Sequence, residues 1–385
     1  MRLLTVIPEL QPFLARLRPR FTRRQFRHLA RYVIGLVGSR RKTIRNMTAS
    51  TIDRFDRSSL NRFMNSDAWK TEALSEACRA MAAEDHKNGP GGDVLLIIDD
   101  TFLEKSGETM ESVGYQYSTK DGKSILSHDL VSCVIVCSCG QVVPVDLRQY
   151  VKAKVCEGEK REFRTRIELA REMIESFDPP GSRAAKRRRL VVLFDSWYLC
   201  KEIVDAIKKR GWRFVGESKS NRKIRVADGA VVDASDLRLG DGDETMLFRG
   251  RTYLHRELDV YTPSLGVNGD MRLMVEKELD GKDDEHYIVT DIAGISPEAF
   301  ISIFKARHIT EEFYRDTKQN LGLESYMVRG HEATNRHWWA IFLAYMSLDH
   351  LKRTISSLAG MTVGELCSWV EERCERLKWM GPSAA

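Results

Sequence analysis

Between Phe26 and Val37 the apolar residues Phe26, Leu29, Ala30, Val33, Ile34 and Val37 fall three and four positions apart, the spacing of one face of an amphipathic helix. A second helix is expected from Ser66, as its N-cap, through Leu74, Ala77, Cys78 and Met81. The run Asn-Gly-Pro-Gly-Gly at 88–92 then breaks the chain, and the pattern changes character. Val94–Ile98 is continuously apolar, as a strand buried on both faces should be. Leu130–Val136 and Gln141–Arg148 read as two more strands, joined by a turn at Ser138, Cys139 and Gly140. Lys160–Phe177 has helical spacing, with Phe163, Ile167, Ala170 and Ile174 on one side. Leu190–Phe194 is a strand, Leu199–Lys209 a helix and Trp212–Gly216 a strand. Three hairpin-linked strands followed by strand–helix–strand units predict a mixed α/β sheet flanked by helices.

From Glu217 to Thr290 apolar and polar residues alternate in the segments Thr245–Arg251, Thr252–Tyr261, Met271–Glu276 and His286–Thr290, with Gly- and Asp-rich turns between them. This predicts an antiparallel β insertion. A long helix is expected over Ile301–Asn320 and another over Asn335–Ala359, with Trp338 and Trp339 in the core. The chain therefore divides into a helical, Arg-rich unit at 1–90, a first α/β part at 91–216, the insertion at 217–295 and a C-terminal helical part at 296–385.

The chain has 385 residues, 42% of them hydrophobic and 30% charged, which excludes a disordered or disulfide-stapled chain. The net charge of +6 is modest, but there is no Asp or Glu between Gln11 and Ser50. Arg23, Arg24, Arg27, Arg31, Arg40, Arg41 and Lys42 lie in that stretch, an electrostatic footprint for nucleic acid. The N-terminus lacks the features of a signal peptide. The apolar runs near Leu130–Cys137 and Trp338–Leu348 are shorter than the about 20 residues a membrane span needs. The Cys137-x-Cys139 pair has no second ligand pair for zinc, so reduced thiols in a cytoplasm are expected.

Chemistry concentrates at three places. Asp99-Asp100-Thr101 follows directly on apolar Leu95–Ile98, and Asp195 follows on Val191–Phe194. Carboxylates delivered to strand ends suit a hard divalent cation, although an Asp there also makes turns and caps helices. Phe304, Arg307, Glu311 and Lys318 are three, four and seven residues apart, steps that stack on one face of an uninterrupted helix. The plainer reading of that face is a solvated ion pair. Trp197 is expected to pack beneath the site rather than to stack on a base, and Lys186–Arg189 to be solvated. His128 and His308 receive no role.

Together these pieces resemble the DDE transposases of bacterial insertion sequences, in the cut-and-paste group with a Y-x2-R-x3-E-x6-K signature. Here the signature reads Phe304, Arg307, Glu311, Lys318, with phenylalanine in place of tyrosine. The resemblance also takes in the β insertion and the Arg-rich helical start ending in Ser58–Phe63. It implies a ribonuclease-H-like fold, preceded by a helical N-terminal domain, in which Asp99 (or Asp100), Asp195 and Glu311 hold two Mg²⁺ ions, with Mn²⁺ as substitute, about 3.5–4 Å apart. Arg307, Lys318 and the ring of Phe304 would then lie at the DNA, Arg307 gripping phosphate bidentately and Lys318 as a point charge. The implied partners are element ends and target DNA, with a homodimer assembled on DNA and no membrane, in a cytoplasm and associated with the nucleoid when DNA-bound. Two competing expectations are a catalytically silent protein that binds DNA ends, and a nuclease that does not transfer strands.

Overall fold

The helix Arg23–Val37 starts at Thr22, whose hydroxyl accepts the Gln25 N–H while the Gln25 side chain accepts the Thr22 N–H. This capping box satisfies N–H groups that a helix start otherwise leaves open. The computed structural model describes residues 6–380, apart from 54, 67–68, 86–92, 119–120, 137–139, 180–188, 228, 266–270 and 282–283. The break at 88–92, the Cys137/Cys139 pair and Lys186–Arg188 lie outside the described residues.

The N-terminal helices are α1 (Gln11–Ala15), α2 (Arg23–Val37), α3 (Ile44–Ser50), α4 (Arg57–Asn65) and α5 (Glu72–Asp85). Strands β1 (Val94–Glu104), β2 (Gly114–Ser118), β3 (Lys123–Val136) and β4 (Val142–Tyr150) follow, then α6 (Ala153–Glu159), α7 (Arg166–Ser176), β5 (Leu190–Phe194), α8 (Lys201–Lys209) and β6 (Arg213–Ser218). The next stretch holds β7 (Lys223–Arg225), β8 (Val231–Asp233), β9 (Glu244–Phe248), β10 (Arg251–Val260), β11 (Met271–Glu278) and β12 (His286–Thr290). Four α-helices follow among the described residues: α9 (Pro297–Lys305), α10 (His308–Asp316), α11 (His331–Thr354) and α12 (Val363–Met380).

One large mixed sheet runs in the order β2–β3–β1–β5–β6–β12–β11–β10–β9, with β4 also on β3. β3 holds both β2 and β4 on its outer edge because it is long: Lys123–Ser127 pairs with β2 and Asp129–Val136 with β4. β1 is antiparallel to β3 and parallel to β5, and β5 is parallel to β6. The insertion strands do not form a sheet of their own. β12 folds back to pair antiparallel with β6 and so extends the same sheet, while β7 and β8 make a small separate hairpin.

α11 is buried on nearly every side and packs against α2, α4, α5 and β4. The Tyr32 hydroxyl is 2.8 Å from His337 Nδ1, and the buried Arg336 donates to the carbonyls of Met64 and Trp69. Trp338 and Trp339 lie in the core. The N-terminal helices thus share their apolar faces with the C-terminal helix across a long separation in sequence.

Several boundaries differ from the sequence pattern. Ser66 is the C-cap of α4, not the start of a helix, and α5 begins at Glu72. α7 begins at Arg166, where Thr165 and Glu168 form a capping box, so Phe163 precedes the helix and is exposed. The expected single helix over 301–320 is broken at Ala306–Arg307 into α9 and α10, and it ends in a wider π-helical turn over Thr317–Leu321.

Candidate active site

The parallel register of β1 and β5 places Ile97 opposite Leu193. Two residues beyond that pair the two segments reach Asp99 and Asp195, and the charge of Asp195 acts on the Asp99 carboxyl. β5 stops at Phe194, and Asp195 opens a turn in which its Oδ1 accepts the N–H groups of Trp197 (2.9 Å) and Tyr198 (3.4 Å). β1 does not stop with it. It continues to Glu104, held by β3 alone through Asp99↔Ser132 and Asp100↔Val131. The aspartates therefore sit in mid-strand, where the neighbouring strand has ended and left one edge open.

The adjacent aspartates have different partners. Asp100 Oδ1 accepts the Tyr198 hydroxyl at 2.8 Å, and its Oδ2 lies 3.8 Å from Arg166, which also holds the buried Asp129. Asp99 Oδ1 accepts the N–H of Asp100. Burial first, then the charge of Asp100 and that of Asp195, push the Asp99 carboxyl up to about 8, against the opposing pull of Arg307. Asp195 is also raised, by burial and by Asp100, with the N–H of Trp197 and Arg307 acting the other way. Asp129 is held up by burial and by Asp100. The centre of the sheet thus gathers more negative charge than its own cations offset.

Arg307 supplies a cation that lowers both Asp99 and Asp195. It stands in the break between α9 and α10, with Nη2 3.8 Å from Glu217 of β6 and 3.7 Å from Glu311 of α10. Glu311 is half-exposed and turned to the rim, its Oε2 2.8 Å from His308 Nδ1. Among the described residues no group of three or more His, Cys, Asp or Glu side chains stands in an arrangement that could hold a metal ion. The structure therefore brings Asp99, Asp100, Asp195 and Arg307 into one electrostatic unit and joins Glu311 to it through Arg307.

The other signature residues do not share one helix face. Phe304 is buried on α9, its ring 6.1 Å from that of His286. Lys318 lies in the π-helical turn, where its amine donates to the Phe102 carbonyl of β1 (2.8 Å) and pairs with Glu324 (2.9 Å). Trp197 is 54% exposed beside Asp195, contrary to the packed position expected from sequence, and the Lys219 amine lies 5.3 Å from its ring.

A family model described as DDE superfamily endonuclease matches residues 16–261. The chain belongs to this family. The matched span takes in the N-terminal arginines and both aspartate-bearing strands, and it ends before Arg307 and Glu311. No curated protein matches the chain.

In this DDE endonuclease several groups at the site carry no sequence signal that spacing could expose. Tyr314 donates its hydroxyl to the Asp99 carbonyl (3.1 Å) and bonds Ser132 (2.7 Å). Tyr198 and Arg166 hold Asp100, Arg166 is itself held by Asp129, and Glu217 meets Arg307 with His286 behind it at 3.1 Å. Glu217 is held below the usual carboxylate range by that His286 bond, with burial opposing and Arg307 assisting. The basic run divides in two. Arg23, Arg24, Arg27, Arg40 and Arg41 are exposed. Arg31 is buried in an ion pair with Asp53 and over the Phe55 ring, and the Lys42 amine donates to the carbonyls of Leu36 and Ser39. No helix among the described residues is long and apolar enough to cross a membrane.

Proposed function

We propose that this DDE endonuclease is the transposase of an insertion sequence, cutting DNA at element ends and joining those ends to a target. The observation that carries the reading is the convergence at β1 and β5. The paired run of β1 and β5 leads on to Asp99 and Asp195, and burial first, then the charges of Asp100 and Asp195, lift Asp99 to about 8. The strand arrangement β4–β3–β1–β5–β6, with β4, β3 and β1 successively antiparallel and β5 and β6 parallel to β1, supports a ribonuclease-H-like catalytic unit.

The donor chemistry suits a hard divalent cation, because it is built of carboxylate oxygens whose mutual repulsion the protein itself does not cancel, and Glu311 would have to leave Arg307 and His308 to complete it. Asp99, Asp195 and Glu311 would hold two Mg²⁺ or Mn²⁺ ions, with Asp100 held back by Tyr198 and Arg166. Bound there, the ions would supply activation of the attacking hydroxyl and stabilisation of the leaving oxygen in phosphoryl transfer. Arg307 releases Glu311 and turns its guanidinium to the scissile phosphate, where a planar fork binds two oxygens. Lys318 ties the end of the catalytic helix to β1 at Phe102, and Tyr314 fixes the backbone that carries Asp99. Exposed Trp197 lines the approach to Asp195. Arg23, Arg24, Arg27, Arg40 and Arg41 neutralise DNA backbone phosphates. Two ends must be held for joining, which calls for a homodimer on DNA.

A second reading, a silent protein that binds DNA ends, is favoured by the position of Glu311, which faces His308 and Arg307 instead of the aspartates. One experiment separates the readings. The purified protein is given Mg²⁺, DNA carrying the element ends and, in a parallel reaction, a precut end with a plasmid target. Nicking and joined products are expected, with both lost in Asp195→Ala and Glu311→Ala proteins of unchanged circular dichroism. Binding without nicking supports the silent reading, nicking without joining a simple nuclease, and full activity in both variants sinks the site.

A further inference from the structure

Away from the carboxylates, a cavity of about 340 Å³ opens at the start of α2, lined among others by Arg24, Gln25, His28, Arg62, Phe63 and Trp69. One wall is aromatic, with Phe63 and Trp69 largely covered at 6% and 5% exposure. The Phe63 and Trp69 rings stack with centroids 4.8 Å apart and planes 7° from parallel. The indole N–H of Trp69 donates to the Phe63 carbonyl at 2.9 Å, and Arg336 lies 5.3 Å from the Trp69 ring. The His28 ring is 5.6 Å from that of Phe63. His28 is only 7% exposed, yet its Nδ1 has no hydrogen-bond partner among the described residues, and a buried polar atom in that state calls for one.

The mouth is basic. Arg24 and Arg62 are exposed, and the carboxylate that meets Arg62, Asp56, is 3.7 Å away. His28 is held down to about 4, by burial and then by Arg31, Arg24, Arg27 and Arg62, so its ring is uncharged in a strongly positive field. The N-terminus of the 15-residue helix α2 adds partial positive charge at the same place. The volume falls in the range that holds a small organic ligand, about 300–1,000 Å³, and the aromatic wall has nothing to offer a bare phosphate.

We propose that this cavity takes one unpaired nucleotide of a DNA strand, with the base against the Phe63–Trp69 wall, His28 Nδ1 at the base edge and the phosphate between Arg24 and Arg62. A paired base cannot enter a pocket, whereas an unpaired one is received on aromatic side chains. The inference rests on the DNA-acting role proposed above and adds a nucleotide-sized site within the N-terminal helices.

The test is calorimetric titration of the full chain without divalent cation, using deoxyadenosine monophosphate, inorganic phosphate, a blunt duplex and the same duplex bearing one unpaired terminal nucleotide. Deoxyadenosine monophosphate should saturate one site and bind at least tenfold tighter than phosphate, and the unpaired end should bind tighter than the blunt one. Arg24→Gln and Arg62→Gln should each weaken the mononucleotide about tenfold or more, as loss of a charged hydrogen bond does, while Lys208→Gln on α8 changes nothing. His28→Phe, which keeps a ring, should weaken the mononucleotide and leave phosphate unaffected. Equal affinity for phosphate and mononucleotide, no saturable binding, or wild-type affinity in both arginine variants overturns the proposal. Because no cation is present, a protein that never cuts DNA can still pass, so the cavity and the transposase reading fail independently.

Discussion

Asp99 is destabilising where it stands. Its carboxyl is held near 8 in the folded protein against about 3.9 in an unfolded chain, so the native state binds more protons between those values. Stability therefore falls as pH rises through that window and levels off above about 8. Asp99→Asn removes the titration. Without divalent cation its melting temperature should exceed that of the wild type by a margin that widens from pH 5 to pH 8, at about 1 °C per kcal/mol relieved in a chain of this length, even though cleavage is lost. Scanning calorimetry across that pH range checks this, and a constant margin would refute the assigned cause. The same excess charge predicts that Mg²⁺ or Mn²⁺ raises the wild-type melting temperature, more at pH 8 than at pH 6, because the cation competes with the Asp99 proton. Addition of EDTA should reverse the shift, and Asp195→Ala should show little of it.

At the scale of elements, the site depends on how β5 and β6 hold Phe194 just before Asp195. Gly216 lies opposite Phe194 in register, and a Cβ there would come within 2.4 Å of the Phe194 ring. Gly216→Ala should cost about 1–3 kcal/mol, as overpacking does, and lower cleavage by displacing Asp195. Denaturant unfolding and a cleavage assay on the same sample test both halves. Tyr314→Phe should cost about 1 kcal/mol through loss of its hydroxyl bonds. The β1 and β5 strands were legible as apolar runs, and so was the delivery of an Asp after each. The course of α9 and α10 was not. The Phe304–Lys318 spacing assumes an unbroken helix, and neither Gly nor Pro marks the break at Ala306–Arg307. The Ala306 N–H bonds back to Ser302 and Ile303, and the chain turns there to bring Arg307 to Glu217 and, through the π-helical turn, Lys318 to Phe102.

Over the whole molecule, the arginine run is one feature in sequence and two in space. Replacing exposed Arg23, Arg24 and Arg27 by Gln should weaken DNA binding and flatten its salt dependence by about 0.9 in log–log slope for each phosphate no longer neutralised. Filter binding across a salt series measures this, and an unchanged slope would remove α2 from the DNA face. Arg31→Ala should act on the fold instead, costing about 1–3 kcal/mol for its charged hydrogen bonds to Asp53. Helix periodicity assigns apolar positions to the core, but it cannot say that an arginine between them meets an aspartate beyond the next helix.

The primary structure determined the alternation of strands and helices, the two apolar runs that end in Asp, and the concentration of positive charge before residue 50. Each is a local property, written in spacing and side-chain type within a short window. Tertiary structure alone decided that Asp99 and Asp195 follow paired runs of neighbouring strands, that Asp100 is claimed by Tyr198 and Arg166, and that Arg307 stands between Glu217 and Glu311. Those outcomes depend on which elements become neighbours, because burial and charge act through distances that sequence separation does not encode.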